Sequence, residues 1–422
     1  MIAPRHGCPI CECARSESNA TRRAQRTKIQ SMKALPLASL VLVLAAVAAG
    51  AQMSNPLVIT KGGTYAGHWS SDDPKVAAVT IRTADPVLLR DSTVTGRGNL
   101  IVVDANANVT IRNVTGTALD PGVTGASRGA FVLASGFRAL TVDHCTITGA
   151  TFGIKAVGAQ PATLVITNNR AINLEDRASD GHGGLLNQRP RLGHFVILDH
   201  VVAAQGAEIA WNQDVQAIGA TSTEDAINIY ESSGSPAHVI HVHDNYLEGE
   251  STAVPGKKYT GTALIADGSN TANAAPTAWV LFENNQIVAT AGTGVGIAYG
   301  HDVTARNNRI VSCGVDASGH PYAWGANAVV IWNYYKSPQF KNNVITGTTG
   351  GMAAPMSSGQ PHADNAWRSP DNHPDPSNTI RDSKFTDPCI VNGKVNLQAE
   401  DAERAAWTAK LAAAHQTVGA HS

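Results

Sequence analysis

The chain has 422 residues, enough for one large or two ordinary domains, and a formal net charge of −1. With 15% charged and 5% aromatic residues, it lacks the basic excess that a nucleic-acid partner calls for. Its 39 glycines, and its wealth of Asn, Val, Ile and Thr, point to strands and turns rather than long helices.

In chain order, the first element is "MKALPLASLVLVLAAVAAGAQ" from Met32. Lys33 is a basic n-region, Leu35 to Ala49 an apolar h-region, and Ala49-Gly50-Ala51 a small-x-small cleavage site. Residues 32–51 therefore read as a secretory signal peptide, with Met32 as the true start and residues 1–31 untranslated or disordered. Upstream, Cys8, Cys11 and Cys13 lack a second ligand pair at zinc-site spacing. The expected mature protein is secreted or periplasmic, has no membrane span and is a monomer. It keeps Cys145, Cys313 and Cys389, which make no disulfide framework. Export permits disulfides without requiring them. Residues 52–75 are expected to cover the N-terminal end of the fold.

From there one phrase recurs: "IRNVTG", "TNNRAINLED", "HDNYLEG", "ENNQIVATAG", "RNNRIVSCG" and "FKNNVITG". Aligned on its second Asn-like position, it gives the column Asn113, His144, Asn169, His200, Asn245, Asn285, Asn308 and Asn343. Irregular spacing around a constant core phrase suits a solenoid with variable loops. A second phrase has the third positions Val132, Ile154, Leu185, Ile209, Ile227, Leu264, Ile297 and Val330. All are aliphatic, so this column is read as pointing inward, with positions two, four and six outward.

One coil cannot bury its own apolar face, but stacked coils bury a continuous one. The expected fold is an all-β, right-handed parallel β-helix of at least eight coils over residues 76–348, with two short strands per coil. The Asn column is its hydrogen-bonded spine, with His144 and His200 as ladder residues and Trp211 and Trp332 in the core. Cys145 and Cys313 fall several coils apart at ~4.8 Å per coil, beyond the ~7 Å between Cα atoms that a disulfide tolerates. Residues 349–393 read as loop. "QAEDAERAAWTAKLAAAHQ" from Gln398 reads as a helix, with Ala402, Ala406, Trp407 and Leu411 on one side, in a C-terminal cap over 394–422.

These coil phrases resemble the pectate-lyase-like superfamily of right-handed parallel β-helix proteins, over roughly residues 76–348. The superfamily is similar in fold to polysaccharide lyases, polygalacturonase-type hydrolases, alginate epimerases and phage tailspikes. The resemblance implies extracellular or periplasmic polysaccharide as ligand, and a substrate groove on a parallel strand face beside long loops. It specifies a fold rather than a reaction.

Outward positions of the second strand set are polar mid-chain: Lys155, Gln188, Glu208, Asn212, Asn228, Tyr230 and Asp267, flanked by Arg189, Asp214, Glu224, Asp225 and Glu231. The alternative is a solvated polar face, which any solenoid has somewhere. A lyase on a uronate polymer would use Lys155, Arg189 or Arg191 as the base or the carboxylate partner. Asp225, Asp267 and Glu208 would then suit calcium. A hydrolase would need paired carboxyls, Glu208 with Asp225 or Glu208 with Asp267. The assigned catalytic set is thus Lys155, Arg189, Glu208 and Asp225. The substrate-binding set is Gln188, Asn212, Asn228, Tyr230 and Asp267, with Tyr230 placed to stack on a sugar.

Three local motifs are weaker. "NQRPRLGHF" is similar to the Arg-Pro-Arg stretch of pectate lyases, without that family's calcium aspartates at their spacing. "SDGHGG" holds the Gly-His-Gly of polygalacturonase-type hydrolases, without their Asn-Thr-Asp and Asp-Asp ahead of it. "HVIHVHDN" offers His238, His241 and His243 to a metal, or simply surface histidines. The sequence expectation is a lyase-type polysaccharide enzyme, with a non-catalytic carbohydrate-binding or envelope protein, or a hydrolase or epimerase, as alternatives.

Overall fold

The computed structural model describes residues 55–421, apart from 105, 188–191, 252, 254–259, 272–273, 317, 323–326, 354–365, 369–374, 387 and 393. The expected signal peptide, and the candidates Gln188, Arg189 and Arg191, lie outside the described residues.

The strands stack in parallel as a β-solenoid. Eleven described strands form one face, from Leu57–Ile59 to Ala366–Arg368. A larger sheet folds around a corner to make two further faces. A middle coil therefore carries three strands, not two: Asp225–Tyr230, then Ile240–His243, then Tyr246–Glu248, before the chain rejoins the first face at Thr262–Asp267. Inward rows are aliphatic because the stack buries them. One runs Val132, Ile154, Val196, Ile227, Leu264, Val295 and Val329 in register. A second runs Val142, Ile166, Ile209, Val242, Phe282, Ala305 and Ile345.

Four of the eight residues expected in the inward column, Val132, Ile154, Ile227 and Leu264, share that first row. Leu185 does not: its coil uses His194–Asp199, with Val196 inward. Ile209 belongs to another face. Ile297 is buried two places further along its strand. Val330 pairs with Gly296 and is half-buried, while Val329 and Ile331 point in. Short strands between long loops let an aliphatic triplet mimic the true rung.

The corner between the second and third faces explains the repeated phrase. Asn113, His144, Asn168, Trp211, Asp244, Asn284 and Asn307 all have φ between 50° and 58°. Asn and Asp tolerate this left-handed turn better than most residues. The next residue turns inward and is buried: Asn169, Asn212, Asn245, Asn285 and Asn308. The first four of these side-chain amides each donate from Nδ2 to Oδ1 of the next coil's Asn, at 2.9–3.0 Å. The same Oδ1 accepts the neighbour's backbone N–H. Nδ2 also reaches a carbonyl of the coil before, as Asn212 does to Ile166 O at 2.8 Å. The ladder is thus satisfied on both sides.

Several expected ladder residues are placed otherwise. Asn113 and His144 occupy the left-handed position, one residue early; Val114 and Cys145 hold the ladder site in those coils. His200 sits at a different corner, and Asn212 takes the rung given to it. Asn343 belongs to a separate short ladder with Asn378, whose Oδ1 accepts its N–H at 3.1 Å.

Neither end follows the expected boundaries. Leu57–Ile59, Gly63–Tyr65 and His68–Ser71 already form a coil by pairing with Val79–Ile81 and Pro86–Gly96, where a cover over 52–75 was expected. The segment read as loop after 348 adds Thr349–Met352, Ala366–Arg368, Thr379–Arg381 and Lys384–Phe385 as further rungs. Its Pro, Gly and Ser content hid them.

The C-terminal helix, α1 (Gln398–Ala413), is present. It caps the solenoid along its flank, and its buried residues are Glu400, Glu403 and Trp407, while Ala402 and Ala406 are exposed. Trp407 stacks on Tyr246 and on Trp211, ring centroids 5.5 and 6.3 Å apart. Trp211 is therefore half-buried at a corner beneath the helix rather than in the core. Trp332 is likewise outside it, packed edge-on against Tyr334. Glu403 accepts from Gln286 and Arg309, and Arg404 donates to Glu248, so the helix side chains bond to three coils. The tail continues backward along the corner, where Gly419 N–H donates to Asn168 O and His421 N–H to Asn113 Oδ1. Cys313 and Cys389 form a disulfide that ties the base of this strap to the coils, and Cys145 is a buried free thiol. Among the described residues, no helix is long and apolar enough to cross a membrane.

Asn245→Ala strips hydrogen bonds from two neighbouring coils in a buried site, so urea unfolding should show a loss of about 3 kcal/mol. His200→Ala, at an exposed corner, should cost about 1 kcal/mol or less. Equal losses would contradict the ladder assignment.

Candidate functional site

The outer side of the first face gathers most of the described candidates. In register, one row reads Leu133, Lys155, Ile197, Asn228 and Ile265, and the next reads Ser135, Val157, Asp199, Tyr230 and Asp267. Asp225 starts the strand that carries Asn228 and Tyr230. Lys155, Asp225, Asn228, Tyr230 and Asp267 therefore lie on one face, with Lys155 two coils from Asn228. Glu208 and Asn212 do not lie there. Glu208 lies on the second face, half-exposed, with its carboxylate 3.5 Å from His243 Nε2. Asn212 is a fully buried rung of the ladder. Both expected carboxyl pairs, each built on Glu208, are thus undone.

A different pair takes their place. Asn228 Nδ2 donates to Asp225 Oδ2 at 3.0 Å and also hydrogen-bonds Asp267 from the adjacent coil. Burial pushes the Asp225 carboxyl well above its usual range, and the Asp267 charge pushes it further. Burial raises Asp267 as well, countered by hydrogen bonds from Gly268 N–H, the Tyr335 hydroxyl and Asn228. Tyr335 donates to Asp267 Oδ1 at 3.0 Å. Two carboxyls that cannot both ionise freely are thereby divided: Asp225 holds a proton more readily, and Asp267 has the donors that stabilise an anion.

The surrounding titratable groups contact one another. Lys155 Nζ lies 3.4 Å from Asp199. His200 bridges Asp199 at 2.6 Å and Glu231 at 3.0 Å. His194, Asp199 and Tyr335 are site residues that sequence reasoning missed. His194 and Asp199 were hidden because Leu185 had been taken as the strand of that coil. Tyr335 sits past the end of a rung, where no periodicity marks it.

The calcium set does not form, since Glu208 is on another face. His194, Glu224 and Asp225 do bring one ligand atom each within 4.8 Å of one another. An imidazole nitrogen does not suit calcium, which prefers oxygens. His194 also divides its nitrogens, with Nε2 3.6 Å from Glu224 and Nδ1 3.8 Å from Asp225 Oδ2. A single ion takes one of them. Burial lowers the His194 pKa to about 3, so the ring stays neutral. Its hydrogen bond runs from Nδ1 to the backbone oxygen of Asp225 at 3.3 Å, so it braces the main chain there. The other grouping, Cys313, Cys389 and Glu400, is closed by the disulfide. His241 and His243 stack at 4.0 Å but turn to Glu283 and Glu208 respectively, and His238 is exposed, so the "HVIHVHDN" histidines do not converge on one point.

Behind the site, Asp214 interrupts an inward row that otherwise reads Ile147, Ala171, Leu247, Ile287 and Ile310. It is fully buried and hydrogen-bonds Glu250 and Gln216, while Thr223 donates to Glu250 at 2.6 Å. Burial lifts Asp214 to about 6 and Glu250 well above its usual range. The two carboxyls share a proton, and through Thr223 and Glu250 they anchor the loops that precede Asp225 and Thr262.

No protein-family model matches the chain, and no curated protein matches it at a significant level.

Because the folded pKa of Asp214 lies above its ordinary value of 3.8, its contribution to stability is fully present below about pH 4. It is lost as pH rises through about 6. Asp214→Asn should therefore flatten the pH dependence of unfolding between pH 4 and 7, and raise stability at pH 7 by about 2 kcal/mol. Thermal melts across that range measure it; an unchanged slope would show that Asp214 titrates normally.

Proposed function

We propose that the protein is an exported enzyme that hydrolyses a glycosidic bond in a polysaccharide, with Asp225 and Asp267 as its acid–base pair. The observation that carries this reading is the Asp225–Asn228–Asp267 arrangement: two raised carboxyls on adjacent coils of the first face, linked by one amide, with Asp225 and Asn228 buried. Glycoside hydrolysis needs one carboxyl that keeps its proton and one that stays ionised. Protonated Asp225 gives its proton to the glycosidic oxygen as the bond to the anomeric carbon breaks. Ionised Asp267, held by Tyr335 and Gly268, either takes a proton from the attacking water or attacks that carbon itself. The separation of the two carboxyls in the complex decides between inversion and retention. Export is supported by the apolar segment before residue 52 in the sequence.

The lyase reading has less support. Its base must be free to take a proton beside a uronate carboxylate. Lys155, the described candidate, is held by Asp199 at 3.4 Å. The non-catalytic binding reading does not explain why two raised carboxyls adjoin on this face.

The chain from Gln52, incubated with a panel of plant, algal and bacterial polysaccharides, should release reducing ends from at least one. Asp225→Asn and Asp267→Asn, each checked for folding by circular dichroism, should lower kcat by 10²- to 10⁴-fold. Rising absorbance of an unsaturated uronate would favour the lyase. Reducing-end release that survives both variants would refute the assignment.

A further inference from the structure

We propose that Tyr334, set by Trp332 and Tyr335, forms a sugar-stacking platform next to Asp267, and that the chain it binds is built of neutral sugars rather than uronates. This rests on the hydrolase reading above and names its substrate class.

The platform follows from three successive coils. Asp267 ends Thr262–Asp267; Tyr299 follows Val295–Ile297; Trp332, Tyr334 and Tyr335 follow Val329–Ile331. Tyr335 stands edge-on to Tyr299 (centroids 5.7 Å, 87°) and to Tyr334 (4.9 Å, 82°). Tyr334 is also edge-on to Trp332 (4.7 Å, 90°). Two perpendicular neighbours hold the Tyr334 ring in place, yet the residue is 45% exposed. A rigid, exposed aromatic ring loses little entropy when a ligand covers it. Tyr335 joins this group to the chemistry, because its hydroxyl is the donor to Asp267. On the other side, Tyr230 pairs in register with Asp267. A chain laid across the coils, which repeat every ~4.8 Å, about one sugar unit, therefore meets an aromatic residue on each side of Asp267. Aromatic rings take the apolar C–H face of a sugar.

Charge selects the sugar. Among the described residues, Asp199, Glu231 and Asp267 border this track beside protonated Asp225, against Lys155, which is paired with Asp199, and His200, which lies between Asp199 and Glu231. Asp225 and Asp267 are themselves raised in part by neighbouring carboxylates. Each uronate carboxylate would add a like charge to this track. Neutral hydroxyls instead find acceptors along it.

The test is calorimetric binding to folded Asp225→Asn protein, slow enough in turnover to keep its ligand. The probes are the hexaoses of cellulose, mannan, xylan and galactan, and hexagalacturonate with and without calcium. We expect a neutral hexaose to bind with little dependence on salt, and Tyr334→Ala to weaken it at least tenfold. In active protein, Tyr334→Ala should raise KM at near-constant kcat. Neutral binding that Tyr334→Ala leaves unchanged would overturn the platform. Preferred binding of hexagalacturonate, through calcium or lost in Arg189→Ala, would overturn the neutral-sugar assignment. Binding of none of them would overturn both parts. The loss of reducing-end release in Asp225→Asn and Asp267→Asn judges the hydrolase separately, so either claim can fail alone.

Discussion

A buried amide has to be hydrogen-bonded on every side, and in this protein that requirement sets the register of the coils. The amides of Asn169, Asn212, Asn245 and Asn285 each bond to the coil before and the coil after, and Asn308 closes the run. Slipping one strand by a residue would strand those donors and acceptors in an apolar interior, at a cost of ~1–3 kcal/mol for each group left unpaired. It would also turn the aliphatic rows outward. With register fixed, the outer rows of the first face are fixed too, and Asp225, Asn228 and Asp267 fall together although up to 42 positions separate them in the chain.

The same stack has to tolerate acidic groups whose ionisation works against its stability. Asp214 occupies a core row where its neighbours are aliphatic, and Asp225, Glu250 and Asp267 are all raised above their ordinary range by burial. Buried carboxyls without cations disfavour folding as they ionise. These four carboxyls fall in three adjoining coils, and under the proposed hydrolase those coils are where stability is given up for chemistry. The C-terminal strap lies on another side of the solenoid, where Trp407 covers Trp211 and Tyr246.

The solenoid was legible because its signals are local and repeated. The Asn phrase carries both the left-handed turn and the buried amide, so even an alignment one residue early at Asn113 and His144 still finds the right corner. The errors arose where a coil departs from the phrase. Trp211-Asn212 does not look like Asn-Asn, so the rung passed to His200; and Leu185 outcompeted the true strand at His194. The site was only half legible. Asp225, Asn228, Tyr230, Asp267 and Lys155 follow from strand alternation. Glu208 was drawn in by the same alternation read on the wrong face. Tyr335 and Glu250 reach the site from other coils, and no periodicity in one sequence announces such contacts.

The central claim is that Asp225 and Asp267 titrate as an unequal pair. The most direct measurement is a carbon-13 NMR titration of aspartate side-chain carboxyls in selectively labelled protein, with the two signals assigned through Asp225→Asn and Asp267→Asn. The account predicts one proton retained well above the usual carboxylate range, and a lower apparent pKa for whichever aspartate remains when the other is replaced. Two independent titrations at the ordinary aspartate value, unchanged by either substitution, would contradict it and leave this face as solvated surface.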